Sequence, residues 1–150
     1  MRRISLFALA VVFTAVAQRE ARADVIGLGV FVGEPAGLDI KVDFKPRSSL
    51  ESVIGWTTFR DGRTNYGHLT YLYTLATATS ATLSIPLRLG IGGAIYNTND
   101  VQLGARVPLE LGLRFRRTPI EIYGEIALFV RLTNDTGFDT QGGIGLRFYF

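Results

Sequence analysis

From about residue 25 onward the chain alternates apolar and polar residues with a period of two, and this pattern limits the fold more than any other feature. In Leu38-Asp39-Ile40-Lys41-Val42-Asp43-Phe44, one face is Leu, Ile, Val and Phe and the other is Asp, Lys and Asp. The segment 103–115 sets Val107, Leu109, Leu111, Leu113 and Phe115 against Arg106, Pro108, Glu110, Gly112 and Arg114. The same alternation runs through 87–95, 120–131 and 138–150. A helix would scatter such residues around its axis, whereas a strand sends them to opposite faces. Turn-forming clusters separate the runs: Glu34-Pro35-Ala36-Gly37, Lys45 to Ser49, Arg60 to Gly67, Asn97 to Gln102, Arg116 to Pro119 and Leu132 to Gly137. Strands are predicted near 25–33, 38–44, 50–59, 68–75, 86–96, 103–115, 120–131 and 138–150. The stretch Ala76 to Ser84 is rich in Ala, Thr and Ser and lacks a clear period.

Eight strands, several of them long enough to cross a bilayer when tilted, predict an all-β, eight-stranded antiparallel up-and-down transmembrane β-barrel. Alternation alone leaves open which face points outward, since a soluble lipocalin-like barrel has the apolar face inside. Volume decides between them. The apolar face carries about thirty large residues, too many for a bore that only just accommodates its own side chains. The other face combines Gly27, Gly29, Gly33, Gly90, Gly92, Gly112, Gly143 and Gly145 with paired charges. That composition suits a crowded polar lumen and weakens a water-facing strand.

The N-terminus has a different composition. Arg2 and Arg3 precede an apolar stretch from Ile4 to Ala17, followed by the small-x-small sequence Ala21-Arg22-Ala23. This is the layout of a cleavable signal peptide, and the run is shorter than the roughly 20 residues of a spanning helix. The expected division is a signal peptide over 1–23 and a barrel domain over 24–150; a retained amphipathic anchor and cleavage after Ala17 are the alternatives. Four of the 16 basic residues and one of the 13 acidic residues lie in the first 23 positions, which leaves twelve of each sign in the barrel. The net charge of +3 therefore belongs to the N-terminus, and no basic surface for nucleic acid is expected. Absence of cysteine excludes disulfides and thiolate chemistry, and a single histidine excludes a multi-histidine metal site.

Gly27-Leu28-Gly29, then Gly33-Glu34-Pro35-x-Gly37-Leu38, and the tail Gly142-Gly143-Ile144-Gly145-Leu146-Arg147-Phe148-Tyr149-Phe150 resemble a family of small bacterial outer-membrane β-barrels of uncharacterised function. Leu87-x-Leu-Gly-Ile-Gly-Gly93, Arg106-Val-Pro-Leu109 and Pro119-Ile-Glu-Ile122 fit the same pattern. The resemblance implies eight strands and both termini in the periplasm. It brings no activity, cofactor or catalytic residue. A C-terminal Phe150 also resembles the terminal aromatic by which outer-membrane barrels are recognised by the barrel-assembly machinery. The expected partners are that machinery, periplasmic chaperones and outer-membrane lipid, and the expected location is the outer membrane.

Candidate chemistry is sparse. His68, at the predicted start of the fourth strand, is the one residue that fits a general base of a rim lipid hydrolase, but Ser48, Ser49, Ser80 and Ser84 all read as turn or loop residues. Asn97 to Asp100 and Asn134-Asp135 lack the oxygen spacing of a calcium loop. The glycine-rich strands lead into no helix and so are not a phosphate loop. Neither a metal nor a cofactor is expected, and the strand count is too small for a porin. What the pattern does predict is a lumen charge network. Folding 116–119 as a hairpin sets Arg114 opposite Glu121 and Glu110 opposite Glu125. Folding the adjoining turns puts Arg88 beside Glu110, Arg147 near Glu125, and Arg131 against Asp139. The expected row is Arg88–Glu110–Glu125–Arg147, a plug that rigidifies the bore.

Overall fold

Period two does become eight strands in the computed structural model, which describes residues 25–58, 64–97, 100–133 and 136–150. They are β1 (Ile26–Glu34), β2 (Ala36–Lys45), β3 (Ser48–Thr57), β4 (Thr64–Thr79), β5 (Leu83–Asn97), β6 (Val101–Phe115), β7 (Ile120–Arg131) and β8 (Gly137–Tyr149). Each pairs antiparallel with the next, and β8 returns to β1, so the sheet closes with no free edge. The Phe150 main chain reinforces that seam, its N–H donating to the Ile26 carbonyl at 2.9 Å. The predicted signal peptide, and Asp24 with it, lies outside the described residues.

Burial is inverted relative to a soluble barrel. Thirty-two large apolar and aromatic side chains among the described residues are exposed, while five carboxylates and four basic side chains are buried. The apolar-inside alternative is therefore the wrong way round. Exposed aromatics gather near the end that carries the termini: Phe44, Tyr71, Tyr73, Phe115, Phe148 and Phe150.

Two differences from the predicted strands have local causes. β4 and β5 extend through the stretch that lacks a period, because a bulge between Thr74 and Ala76 shifts the pairing by one residue. Such a shift reverses the faces of everything after it, which erases the alternation from the sequence. β4 also begins at Thr64 rather than near 68, since Tyr66 points inward while Asn65 and Gly67 face out, against the apolar-out rule.

The inward glycines make room for neighbouring rings. Gly145 on β8 pairs with Phe31 on one side and Tyr123 on the other. Those two rings stack across it, 5.8 Å between centroids. A Cβ at Gly145 would lie 2.1 Å from the Tyr123 ring, which cannot retreat because Arg147 covers it at 3.6 Å. Gly145→Ala is thus expected to lower stability by about 1–3 kcal/mol. Outward Gly124 has nothing within 4 Å of its Cβ position, so Gly124→Ala should be neutral or slightly stabilising. Urea unfolding of both variants in detergent micelles checks the contrast, and equal midpoints would refute it.

Candidate functional site

Inward positions of β2, β3, β5, β6, β7 and β8 bring charges into the bore near mid-barrel, because strand geometry sends every second residue inside. Arg147 is the hub. Its Nε donates to Asp39 Oδ2 at 2.5 Å, Nη2 donates to Glu51 and, at 3.0 Å, to Glu110 Oε2, and Nη1 donates to Glu121 Oε1 at 3.4 Å. One guanidinium therefore joins β8 to β2, β3, β6 and β7, and both Arg147 and its four acidic partners are buried. Arg88 donates to Glu110 and, at 2.5 and 3.1 Å, to both oxygens of Glu121. Planar forks of this kind match carboxylates well and hold their orientation.

Nearer the opposite end, Arg106 donates to Glu125, to the His68 ring at 2.7–2.9 Å and to Thr70 at 3.2 Å. Tyrosines close the remaining gaps. Tyr123 donates to Asp39 at 2.7 Å, Tyr149 to Glu121 at 3.0 Å, and Tyr66 shares hydrogen bonds with Gln141. Glu51, Glu110 and Glu125 bring oxygens within 4.8 Å of one another. Arg147 and Arg106 already bind that group, so its counter-charge comes from the chain itself.

The pairings expected from hairpin geometry can now be placed. Arg88 lies opposite Glu110, Glu110 opposite Glu125, and Arg114 opposite Glu121. Arg147 does not lie beside Glu125: it pairs in register with Glu121, and Gly143 faces Glu125. The β7–β8 hairpin closes with Arg131 opposite Gly137, so β8 is displaced along β7 from the expected register. The row is thus a branched network in which Glu110 joins Arg88 to Arg147, while Glu125 belongs to Arg106. Arg114, although opposite Glu121, turns to Asp43 at 3.4 Å and over the Tyr149 ring at 3.8 Å. Arg131 meets Asp139 at 2.9 Å, both partly exposed near the end opposite the termini.

His68 also moves. It is the fifth residue of β4, 4% exposed, held against Arg106 and edge-on to Tyr66 at 5.8 Å. It is a lumen residue and not the rim residue that its predicted position at a strand start implied. Ser48 and Ser49 open β3 at the end that carries the termini, and Ser80 and Ser84 flank the β4–β5 turn at that same end. Asp39, Lys41, Glu51, Arg106, Tyr123 and Tyr149 join the lumen without having been singled out. Their only signal was membership of the polar face. Many of the contacts cross the bore, and pairing of adjacent strands carries no information about those.

No protein-family model matches the chain, and no curated protein matches it in sequence. A solved structure does resemble it, the N-terminal β-barrel domain of OprF from Pseudomonas aeruginosa, with TM-score 0.63 and 14% identity over 83% of this chain and 95% of that one. At that identity the likeness concerns the fold, an eight-stranded barrel shared with a domain of an outer-membrane protein.

Proposed function

We propose that this is a small outer-membrane barrel with a closed lumen, serving a structural or envelope-maintenance role or binding partners at its rim, and not an enzyme. The observation that carries the reading is the inverted partition: a continuous apolar exterior around nine buried charges. Only hydrocarbon makes that arrangement favourable, because lipid solvates the outside while the closed sheet pairs each strand's backbone with its neighbours. The aromatic cluster near the termini matches the belt that amphipathic rings form at a bilayer interface. The motif resemblance implies this location and both termini in the periplasm, and the OprF-like fold agrees with the barrel architecture. Export through a signal peptide cut after Ala23, chaperone escort and recognition of exposed Phe150 by the assembly machinery complete the proposal. His68 supports no hydrolase role, since its ring faces a buried arginine.

Expression of the full chain in a Gram-negative host tests the proposal. The product should begin at Asp24, sediment with outer membranes and migrate faster on gels before heating than after. In planar bilayers it should show no steady nanosiemens-scale conductance, because Arg88, Arg106 and Arg147 with their carboxylates fill mid-barrel. Recovery as a soluble periplasmic protein would overturn the location, and a stable large channel would overturn the closed lumen.

A further inference from the structure

Charge on the rim that carries the termini is arranged differently from charge in the bore. Three exposed arginines stand on two of its turns, Arg47 between β2 and β3, and Arg116 and Arg117 between β6 and β7; Lys45, also exposed, adds a fourth positive charge beside Arg47. The ion pairs among the described residues use other cations: Lys41, Arg88, Arg106, Arg114, Arg131 and Arg147. Asp43, the nearest carboxylate in sequence, is taken by Lys41 and Arg114. Two of the rim guanidiniums are held in place without being neutralised. Arg47 donates from Nε to the Thr74 carbonyl at 2.9 Å and from Nη2 to the Leu75 carbonyl at 2.6 Å, and it lies over the Tyr73 ring at 5.1 Å. Arg116 donates from Nη1 to the Ser80 carbonyl at 3.1 Å. Both lean on the β4–β5 hairpin from its two sides, and each keeps N–H donors to spare out of five.

Depth along the strands gives these cations their meaning. Phe44 immediately precedes Lys45, Phe115 immediately precedes Arg116, and Arg47 covers Tyr73. All three rings belong to the exposed aromatic cluster at this end, and further in on the same outward faces lie Ile40 on β2 and Leu111 and Leu113 on β6. The wall thus passes from aliphatic to aromatic to cationic within a few residues, at roughly 3.3 Å for each. Interfacial rings of a membrane barrel sit at the level of the headgroups, so the next residue outward reaches the phosphates. The opposite end is built otherwise. Its charged side chains, among the described residues, are Glu34, Asp100, Arg131 and Asp139, and Arg131 is paired with Asp139.

We propose that this rim binds the headgroups of anionic phospholipids in the leaflet on the side of the termini. The inference rests on the reading of the barrel as membrane-spanning. Phosphate oxygens accept the hydrogen bonds that free guanidinium N–H groups offer. A headgroup of net negative charge is favoured over a zwitterionic one, whose own ammonium answers its phosphate, and each Lys or Arg near the surface adds to that preference. Every cation of the row stands within two residues of an exposed interfacial ring or directly over one, which ties the row to the bilayer surface and not to a partner in solution.

Electron paramagnetic resonance of spin-labelled phosphatidylglycerol and phosphatidylcholine around the protein refolded into vesicles tests the rim. At low salt phosphatidylglycerol should be enriched at least about twofold beside the protein, and molar salt should remove most of that enrichment. The triple variant Arg47→Gln, Arg116→Gln, Arg117→Gln should bring the two lipids close to parity. Arg117→Gln alone should lose part of the preference. Arg117 is exposed in a turn, so that variant should keep the parent's heat-dependent gel mobility. Equal association of the two lipids with the parent, or a preference unchanged in both variants, would overturn the rim as a lipid site. Protein left wholly outside the vesicles would overturn the membrane reading and this inference with it, whereas an inserted barrel indifferent to lipid charge would overturn this inference alone.

Discussion

Arg147→Ala is expected to lower the unfolding midpoint of the barrel more than any other single lumen substitution. Its guanidinium holds Asp39, Glu51, Glu110 and Glu121, all of them buried. Glu110 and Glu121 keep Arg88 after the change. Asp39 keeps the Tyr123 hydroxyl. Glu51 keeps no cation among the described residues, and its second oxygen is already without a hydrogen-bond partner. Removing one partner of a buried ion pair typically costs about 3–5 kcal/mol, because the surviving charge stays in a poorly solvating site. The rescue pattern is the sharper test. Adding Glu51→Gln should restore part of the loss, since an uncharged amide removes the orphaned charge. Adding Glu125→Gln should restore little, because Glu125 is paired with Arg106. Urea titration of the three proteins in micelles separates these outcomes. Equal rescue by both second substitutions would mean that Arg147 and Glu125 interact and that the β7–β8 register differs from the one described.

That comparison also marks where sequence reasoning stops. The Arg88–Glu110–Glu125 order was legible because short turns join β5 to β6 and β6 to β7, and a short turn fixes register almost by itself. The longer β7–β8 connection leaves several registers compatible with the same alternation, and Arg147 was assigned to the wrong one. Glu51 and Asp39 meet Arg147 from β3 and β2, across the bore, where hairpin geometry says nothing. β4 failed for a separate reason. The bulge beyond Thr74 reversed the phase, and inward Tyr66 and Leu72 defied the polar-inside pattern, so His68 appeared to sit at an end. What survived outside β4 was the face assignment. Strand pleating enforces it at each residue, whereas register and cross-bore contacts depend on closure of the whole barrel.

The second large effect is expected on the opposite face. Leu109 lies in the middle of β6, paired with Leu89 and Ile126, and all three point outward with about half of each side chain exposed. If the exterior meets water, Leu109→Arg replaces a partly exposed apolar group by a solvated cation and changes stability by no more than about 0.5 kcal/mol. If it meets hydrocarbon, the same change places a charge near the bilayer midplane and costs about 2–4 kcal/mol. Leu113→Arg, four residues nearer the end with the termini and next to the exposed ring of Phe115, should cost clearly less, since the penalty falls to about 0–1 kcal/mol at the interface. The measurement is reversible unfolding in lipid vesicles, because a detergent micelle adapts to a charge more readily than a bilayer does. A gradient with depth, Leu109→Arg well below Leu113→Arg in stability, is the signature of a membrane-spanning wall. Two near-neutral substitutions would remove the physical basis for placing this barrel in a membrane, and the lumen network would then have to be explained as the core of a soluble protein.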